Sequence, residues 1–315
     1  MSLSIDTYDC RHLETMVDLH NDQTSGQPHI APLTPQLFTD LVEAKSYFDP
    51  AGVFVASEGG EVVGWCHACV AHATETWLNP DPTYARIDML IYRRQDLHVG
   101  TALVAEAVKW LKPTGHDAIH AISGGGGYPF YRGLWMGGER ILPTSLPHIH
   151  MALGCQGFRI VGDGSLKVGR LDKLPPLVEP RINADFHTGP LHMAHETIRQ
   201  SWIGFEPMVV KAIVEGAEAG TIGWVILPHQ QAKLGAPCVD IYMLGIAPQF
   251  QGQGIASALV SRALAAGYHR GARIATVGTQ LDNLAAHRTY HKFGLFIQQL
   301  GCGRRLDLRP PSPSA

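Results

Sequence analysis

Residues 241–267, IYMLGIAPQFQGQGIASALVSRALAAG, hold the most chemically specific spacing in this chain. A strand ends near Ile246, Pro248 stops it, and a turn containing Gly252 and Gly254 opens a helix. Such a turn points unpaired backbone N–H groups outward, and together with the helix dipole they make a site for a diphosphate. Glycine lets the backbone approach phosphate oxygens with no Cβ in the way, and the small Ala256 and Ser257 keep the first helical turn open. Glycine-rich turns that open helices are common, so this segment alone specifies a phosphate-binding turn and nothing finer. The chain lacks the Gly-Lys-Ser/Thr of a P-loop and the G-x-G-x-x-G of a dinucleotide site.

Two other groups of residues invite a chemical reading. His187, His192 and His195, and the pair His287 and His291 one helical turn apart, have the side chains to ligate a metal. No Cys or carboxylate completes either set at a characteristic spacing, so solvated histidines are the expectation. Cys66 and Cys69 form a C-x-x-C inside EVVGWCHACVAHA, but this run reads as a strand, where residues three apart face opposite sides. They read as two small buried hydrophobes.

The elements that must position the turn occur twice. QDLHVGTALV beginning at Gln95 lines up with QGQGIASALV beginning at Gln251 at an offset of 156, and Gly64-Trp65 answers Gly223-Trp224 at an offset of 159. The small difference is a loop-length change, so the pattern is two tandem copies of one fold. Each copy reads as a hairpin, a third strand, a Gly-containing turn, an Ala-rich helix and a further strand. The hairpins turn around residues 58–61 and 215–220. Leu103, Val104, Ala107, Val108 and Leu111 make one buried helical stripe, as do Ile255, Leu259, Val260, Ala263 and Leu264. A proline-rich run, VGRLDKLPPLVEP at residues 168–180, is the expected linker, and the tail RPPSPSA is expected to be disordered.

Composition bounds the function. A length of 315 residues suits about two domains. Net charge is −3, with 25 Lys and Arg against 28 Asp and Glu, which leaves no basic surplus for nucleic acid or a membrane surface. Six scattered cysteines make no disulfide framework. No apolar run approaches a bilayer span and the first residues lack a signal-peptide pattern, so a soluble cytoplasmic protein is expected.

Gln251-x-x-Gly254-x-Ala256 resembles the acyl-CoA pyrophosphate motif, Q/R-x-x-G-x-G/A, of the GCN5-related N-acetyltransferases, the GNAT superfamily. Downstream, Asn283, Ala286, Tyr290 and Phe293-Gly294 follow the family's second pattern, N-x-x-A-x-x-x-Y-x-x-x-G-[F/L], with the strand ARIATVGTQ between the two motifs. The resemblance is strong over residues 205–300, moderate over 53–111 and weak elsewhere. It implies an α/β chain of two tandem GNAT-like domains of the two-domain type, each a mixed, mostly antiparallel twisted sheet flanked by helices. The expected division is an N-terminal domain at 1–170, a linker at 171–180, a C-terminal catalytic domain at 181–308 and a tail at 309–315.

The resemblance further implies transfer of an acetyl group from acetyl-CoA, as co-substrate, to a primary amine by direct attack, with no metal. Tyr290 would protonate the leaving thiolate, since a phenol with a pKa of about 10 can protonate a thiol of about 8.5. Backbone groups of Leu244, Gly245 and Ile246 would hold the oxyanion and pantetheine. The expected cofactor-binding set is completed by Gln251, Gly252, Gln253, Gly254, Ile255, Ala256, Ser257, Asn283 and Tyr290 itself. Asp240 and Glu206 are the candidate carboxylates for deprotonating the amine, and the family pattern does not choose between them. In the first copy Gln95-x-x-His98-x-Gly100 puts His98 where the motif has its first Gly. Leu153 stands opposite Tyr290 and Leu146 opposite Asn283, so the first copy reads as degenerate. An aromatic, Gly-rich insertion follows its last strand, in which Tyr128 and Tyr131 are weaker candidates for an acid. The expected acceptor is a small-molecule or peptide amine, no nucleic-acid or membrane partner is expected, and a monomer or homodimer is expected. The rival reading from another class is a non-catalytic acyl-CoA-binding sensor or interaction protein.

Overall fold

A computed structural model describes residues 2–74, 83–122, 127–135 and 141–309. The N-terminal half runs β1 Leu3–Thr7, α1 Leu13–Thr24, α2 Pro35–Phe38, β2 Val53–Glu58, β3 Glu61–His72, β4 Thr83–Tyr92, α3 Leu97–Leu111, β5 Ala118–Ala121, β6 Leu142–Pro143, α4 Pro147–Cys155 and β7 Arg159–Arg170. The C-terminal half repeats the order with β8 Asp185–Pro190, α5 Glu196–Ser201, β9 Met208–Val214, β10 Ala217–Leu227, α6 Gln231–Leu234, β11 Cys238–Ile246, α7 Ile255–His269, β12 Ile274–Thr279, α8 Leu284–His291 and β13 Phe296–Asp307.

The strands form one mixed sheet in the order β1-β2-β3-β4-β5-β13-β7-β12-β11-β10-β9-β8, with β6 pairing on β13. All neighbours are antiparallel except β4 with β5 and β11 with β12, the strands linked by the crossover helices α3 and α7. The last strand of each half is exchanged: β7 completes the C-terminal half beside β12, and β13 completes the N-terminal half beside β5. β7 and β13 then pair with each other, so the sheet runs without a break from one half to the other. Val168 and Arg170 belong to β7, so the proline-rich connection begins later than its composition suggests. Of the tail, Arg309 pairs with Asp117 (2.8 Å), and residues 310–315 lie outside the described residues.

The helical stripes face the sheet. Leu103, Val104 and Leu111 on α3, and Ile255, Leu259 and Leu264 on α7, are buried. The repeated Gly-Trp has a packing cause. Trp65 and Trp224 lie in the two cores, and a Cβ on Gly223 would sit 2.4 Å from the Tyr242 ring. Burial of a tryptophan of this kind is worth about 3–5 kcal/mol against alanine. Cys66 and Cys69 are both buried on β3, and burial pushes the Cys66 thiol up.

Candidate active site

The site starts from a break in the sheet. β11 and β12 pair in parallel from Cys238 and Ile274 as far as Ile241 and Val277. Beyond that point β11 stays with β10, β12 stays with β7, and a wedge opens between them. A β-bulge causes the divergence: Gly223 opposes Met243 and Trp224 opposes Ile241, which leaves Tyr242 as the extra residue on β11. The wedge opens into a cleft of about 610 Å³ lined by both strands, by Asn283, Ala286 and Tyr290 of the α8 region, and by Glu218 and Thr221 of β10. Leu244, Gly245 and Ile246 run along it, with their backbone edges facing away from β10 turned toward the gap.

The turn at the end of β11 forms a second cleft of about 430 Å³. Gly254 takes φ 85°, a left-handed conformation at the start of α7 that favours glycine, and Gly252 takes φ 76°. Among the described residues none of the N–H groups of residues 252–257 donates to a backbone carbonyl, which leaves them as the orphan donors of a helix N-terminus. Gln251 anchors the turn from behind, its Nε2 donating to the Ile246 carbonyl (3.4 Å). Arg181 and Lys292 bring two cations to this lining. The Arg181 N–H donates to the Gln253 carbonyl (2.8 Å), which fixes the arginine beside the turn. The two clefts share Leu244, Ile246, Asn283 and Ala286 and form one continuous groove.

Asn283 and Tyr290 sit on opposite ends of one short helix. The Asn283 Oδ1 accepts from the Ala286 N–H (3.1 Å) and caps α8, while its body lines both clefts. Tyr290 is buried to 4% exposure among the core residues under α8, yet it also lines the wedge. The N-cap fixes the start of α8 and Tyr290 follows two turns later, which delivers the ring to the gap.

The two carboxylates expected as bases do not line this groove. Asp240 lies on the face of β11 shared with Cys238 and Tyr242, away from α7, where its carboxylate accepts from Thr276 Oγ1 (2.6 Å). It lines a small cavity with Arg132, Tyr128 and Trp202. Glu206 is exposed and pairs with Arg270 (3.5 Å), which follows the C-terminal end of α7, opposite the turn. The carboxylate that does line the wedge is Glu218. Lys211 Nζ lies 2.7 Å away and Thr221 donates its hydroxyl, and these two hydrogen bonds, the lysine's foremost, hold Glu218 below the usual carboxylate range. Sequence spacing carries no sign of this, because it depends on the register of β10 against β11. Arg181 and Lys292 were missed because the connection before β8 and the end of α8 reach the turn only in the folded chain, although cations near a diphosphate turn are a signal that could be sought.

In the N-terminal half the matching strands diverge in the same way. β4 carries the matching bulge at Asp88, and β4 and β5 part after Ile87 and Ala121. Tyr92, at the end of β4, is fully buried and lies against the first turn of α3, where a Cβ on Gly100 would meet its ring at 2.3 Å. The Tyr92 hydroxyl donates to the His148 carbonyl. His98, expected to stand in the phosphate position, instead projects to solvent beside Glu58 (2.9 Å). Tyr131 packs inside with its hydroxyl 2.8 Å from His67 Nδ1, and Tyr128 lies under the Arg132 guanidinium (5.0 Å). Residues 123–126 and 136–140 of the insertion region lie outside the described residues. His291 Nε2 is 3.3 Å from Lys167 Nζ, and among the described residues no three His, Cys, Asp or Glu side chains gather as a metal site would require.

Residues 181–295 match the model of the acetyltransferase (GNAT) family. That segment is a GNAT-family domain. The GNAT fold extends over the whole chain in tandem. A tandem GNAT protein from the clavulanic acid biosynthesis pathway, solved without acetyl-CoA, superposes with a TM-score of 0.66 at 16% identity, over 99% of this chain and 100% of that one. A GCN5-related N-acetyltransferase from Sphaerobacter thermophilus superposes at 0.66 and 13% identity, over 98% and 96%. The N-myristoyltransferase of Saccharomyces cerevisiae, solved with myristoyl-CoA, superposes at 0.59 and 11% identity, over 98% and 80%. No curated protein is significantly similar in sequence. Among the described residues no helix of this tandem GNAT fold is long and apolar enough to cross a membrane.

Proposed function

We propose that the C-terminal GNAT domain is an acyl-CoA-dependent N-acetyltransferase that moves an acetyl group from acetyl-CoA to a primary amine by direct attack. The observation that carries this is the single groove running from the N–H groups of residues 252–257, which have no backbone acceptor, to Tyr290 through the wedge between β11 and β12. The turn and Arg181 hold the diphosphate, and the wedge leads the thioester arm between the strands. Backbone groups at Leu244, Gly245 and Ile246 orient that arm and stabilise charge developing on the carbonyl oxygen. Tyr290 gives its phenolic proton to the departing thiolate, and its burial keeps water from competing. Glu218 takes the place proposed for the amine-facing carboxylate, since it lines the same wedge while Asp240 and Glu206 do not. It attracts a cationic amine and, directly or through water, accepts its proton. The N-terminal half, its wedge filled by Tyr92, serves as an auxiliary domain.

The test is acetyl-CoA turnover with a panel of amines, read by free-thiol release, in wild type and Tyr290→Phe. Loss of general acid catalysis lowers kcat by about 10²–10⁴, while the dissociation constant for acetyl-CoA stays within a few fold. Unchanged kcat removes Tyr290 from the mechanism. Binding without turnover for any amine favours the sensor reading.

A further inference from the structure

The connection between the halves is tied down at both ends on the GNAT domain. At one end Leu171 is buried and its N–H donates to the Arg273 carbonyl (2.8 Å). At the other, the Val178 N–H donates to Ser261 Oγ (3.0 Å), Arg262 reaches the Val178 carbonyl (2.9 Å), and the Arg181 N–H reaches the Gln253 carbonyl (2.8 Å). The chain between these anchors forms a strap beside α7. Strap and helix enclose a groove of about 640 Å³. Pro175, Pro176 and Phe293 give it flat apolar walls, and Arg170, Lys173 and Lys292 give it cations. Asp172, its one acidic lining residue, is engaged by Arg170 (3.0 Å).

The groove is continuous with the diphosphate cleft, because Ser257 and Lys292 line both. The diphosphate cleft therefore has two extensions. One leads through Leu244 and Ile246 to Tyr290, and the other leads under the strap. An acyl-CoA has two arms on its diphosphate: the pantetheine thioester, and an adenosine that carries a 3′-phosphate. The second arm is a flat purine beside a dianion, which matches proline and phenylalanine walls with lysine and arginine among them.

We infer that the groove under the strap binds the 3′-phosphoadenosine end of the acyl-CoA, so that the segment joining the two halves forms one wall of the cofactor site. The inference rests on the acyl-CoA reading of the neighbouring turn. It assigns Lys173 and Arg170, which belong to the connection between the halves, to recognition of the 3′-phosphate. Cofactor occupancy is thereby coupled to the position of the strap.

The experiment is calorimetric titration of the full chain with CoA and with 3′-dephospho-CoA, for wild type and for Arg170→Ala/Lys173→Ala. Wild type binds CoA about tenfold more tightly than 3′-dephospho-CoA, the effect of one charge-assisted contact. The double variant binds the two ligands nearly equally, its affinity for 3′-dephospho-CoA unchanged. Equal affinities in wild type, or a full tenfold preference kept in the double variant, overturn the inference while leaving the acyl-CoA reading intact. Binding of neither ligand by wild type removes the acyl-CoA reading itself, and the inference with it.

Discussion

Substituting Gly254 separates the two things that residue does. Its φ of 85° lies in the left-handed region, where an L side chain costs about 1–2 kcal/mol. Space is not the obstacle: a Cβ there would meet nothing nearer than the Pro180 Cα at 3.5 Å. Gly254→Ala therefore lowers stability by about that amount and weakens acetyl-CoA binding only a few fold. Gly254→Glu adds a carboxylate among the N–H groups proposed to hold a diphosphate. At a separation of about 5 Å and an effective dielectric constant of about 20, one such repulsion costs about 3 kcal/mol. That is on the order of 100-fold in the dissociation constant. The assay is titration calorimetry of both variants at low salt, with thermal melting as the check on folding. The Glu variant loses at least about 100-fold relative to the Ala variant, and part of the loss is recovered as salt screens the charge. A folded Gly254→Glu protein that binds acetyl-CoA like Gly254→Ala refutes the placement of the diphosphate at this turn.

Two further outcomes follow from other parts of the fold. Burial, with the Arg132 charge adding to it, pushes the Lys45 ammonium down to about 7, and its Nζ donates to the Pro129 carbonyl (2.9 Å). Between about pH 7 and pH 10 the unfolded chain therefore binds more protons at this residue than the folded one, so its contribution makes stability rise with pH over that window. Urea unfolding at pH 7, 8 and 9.5 tests this: wild type gains stability relative to Lys45→Met as pH rises, and parallel profiles contradict it. Because β7 and β13 are exchanged, a chain cut between Lys173 and Pro175 gives two pieces that each lack a strand of their own sheet. Coexpressed, the pieces associate into one species of the parent mass by size exclusion, whereas separately they do not give stable monomers. A well-folded monomeric piece of residues 1–173 contradicts that.

What the sequence made legible was local. The turn at residues 251–256 and the Asn283-to-Tyr290 spacing lie within single strand-turn-helix units, where side-chain order maps directly onto position. The tandem repeat was legible for the same reason, since Gly64-Trp65 and Gly223-Trp224 answer one packing need in each copy. Pairings between distant strands were not. The exchange of β7 and β13 joins residues more than 100 positions apart, and no local pattern distinguishes an exchanged strand from one that stays at home. That Asp240 lies outside the wedge was not legible, because strand parity alone could not tell which face of β11 it shares, and the bulge at Tyr242 resets that parity before the wedge. Glu218 was invisible until β10 was in register with β11. In the N-terminal half the motif position His98 projects outward, while the ring of Tyr92 lies against the start of α3, where the lack of a side chain at Gly100 leaves room for it.

The central claim is that this chain has one acyl-CoA site, in the groove from Gly254 to Tyr290, and that Tyr92 closes its counterpart. Calorimetric titration of the intact wild-type chain with acetyl-CoA tests it most directly. The expected stoichiometry is one acetyl-CoA per chain. Two equivalents bound per chain contradict the closure by Tyr92, and no binding contradicts the reading of the groove itself.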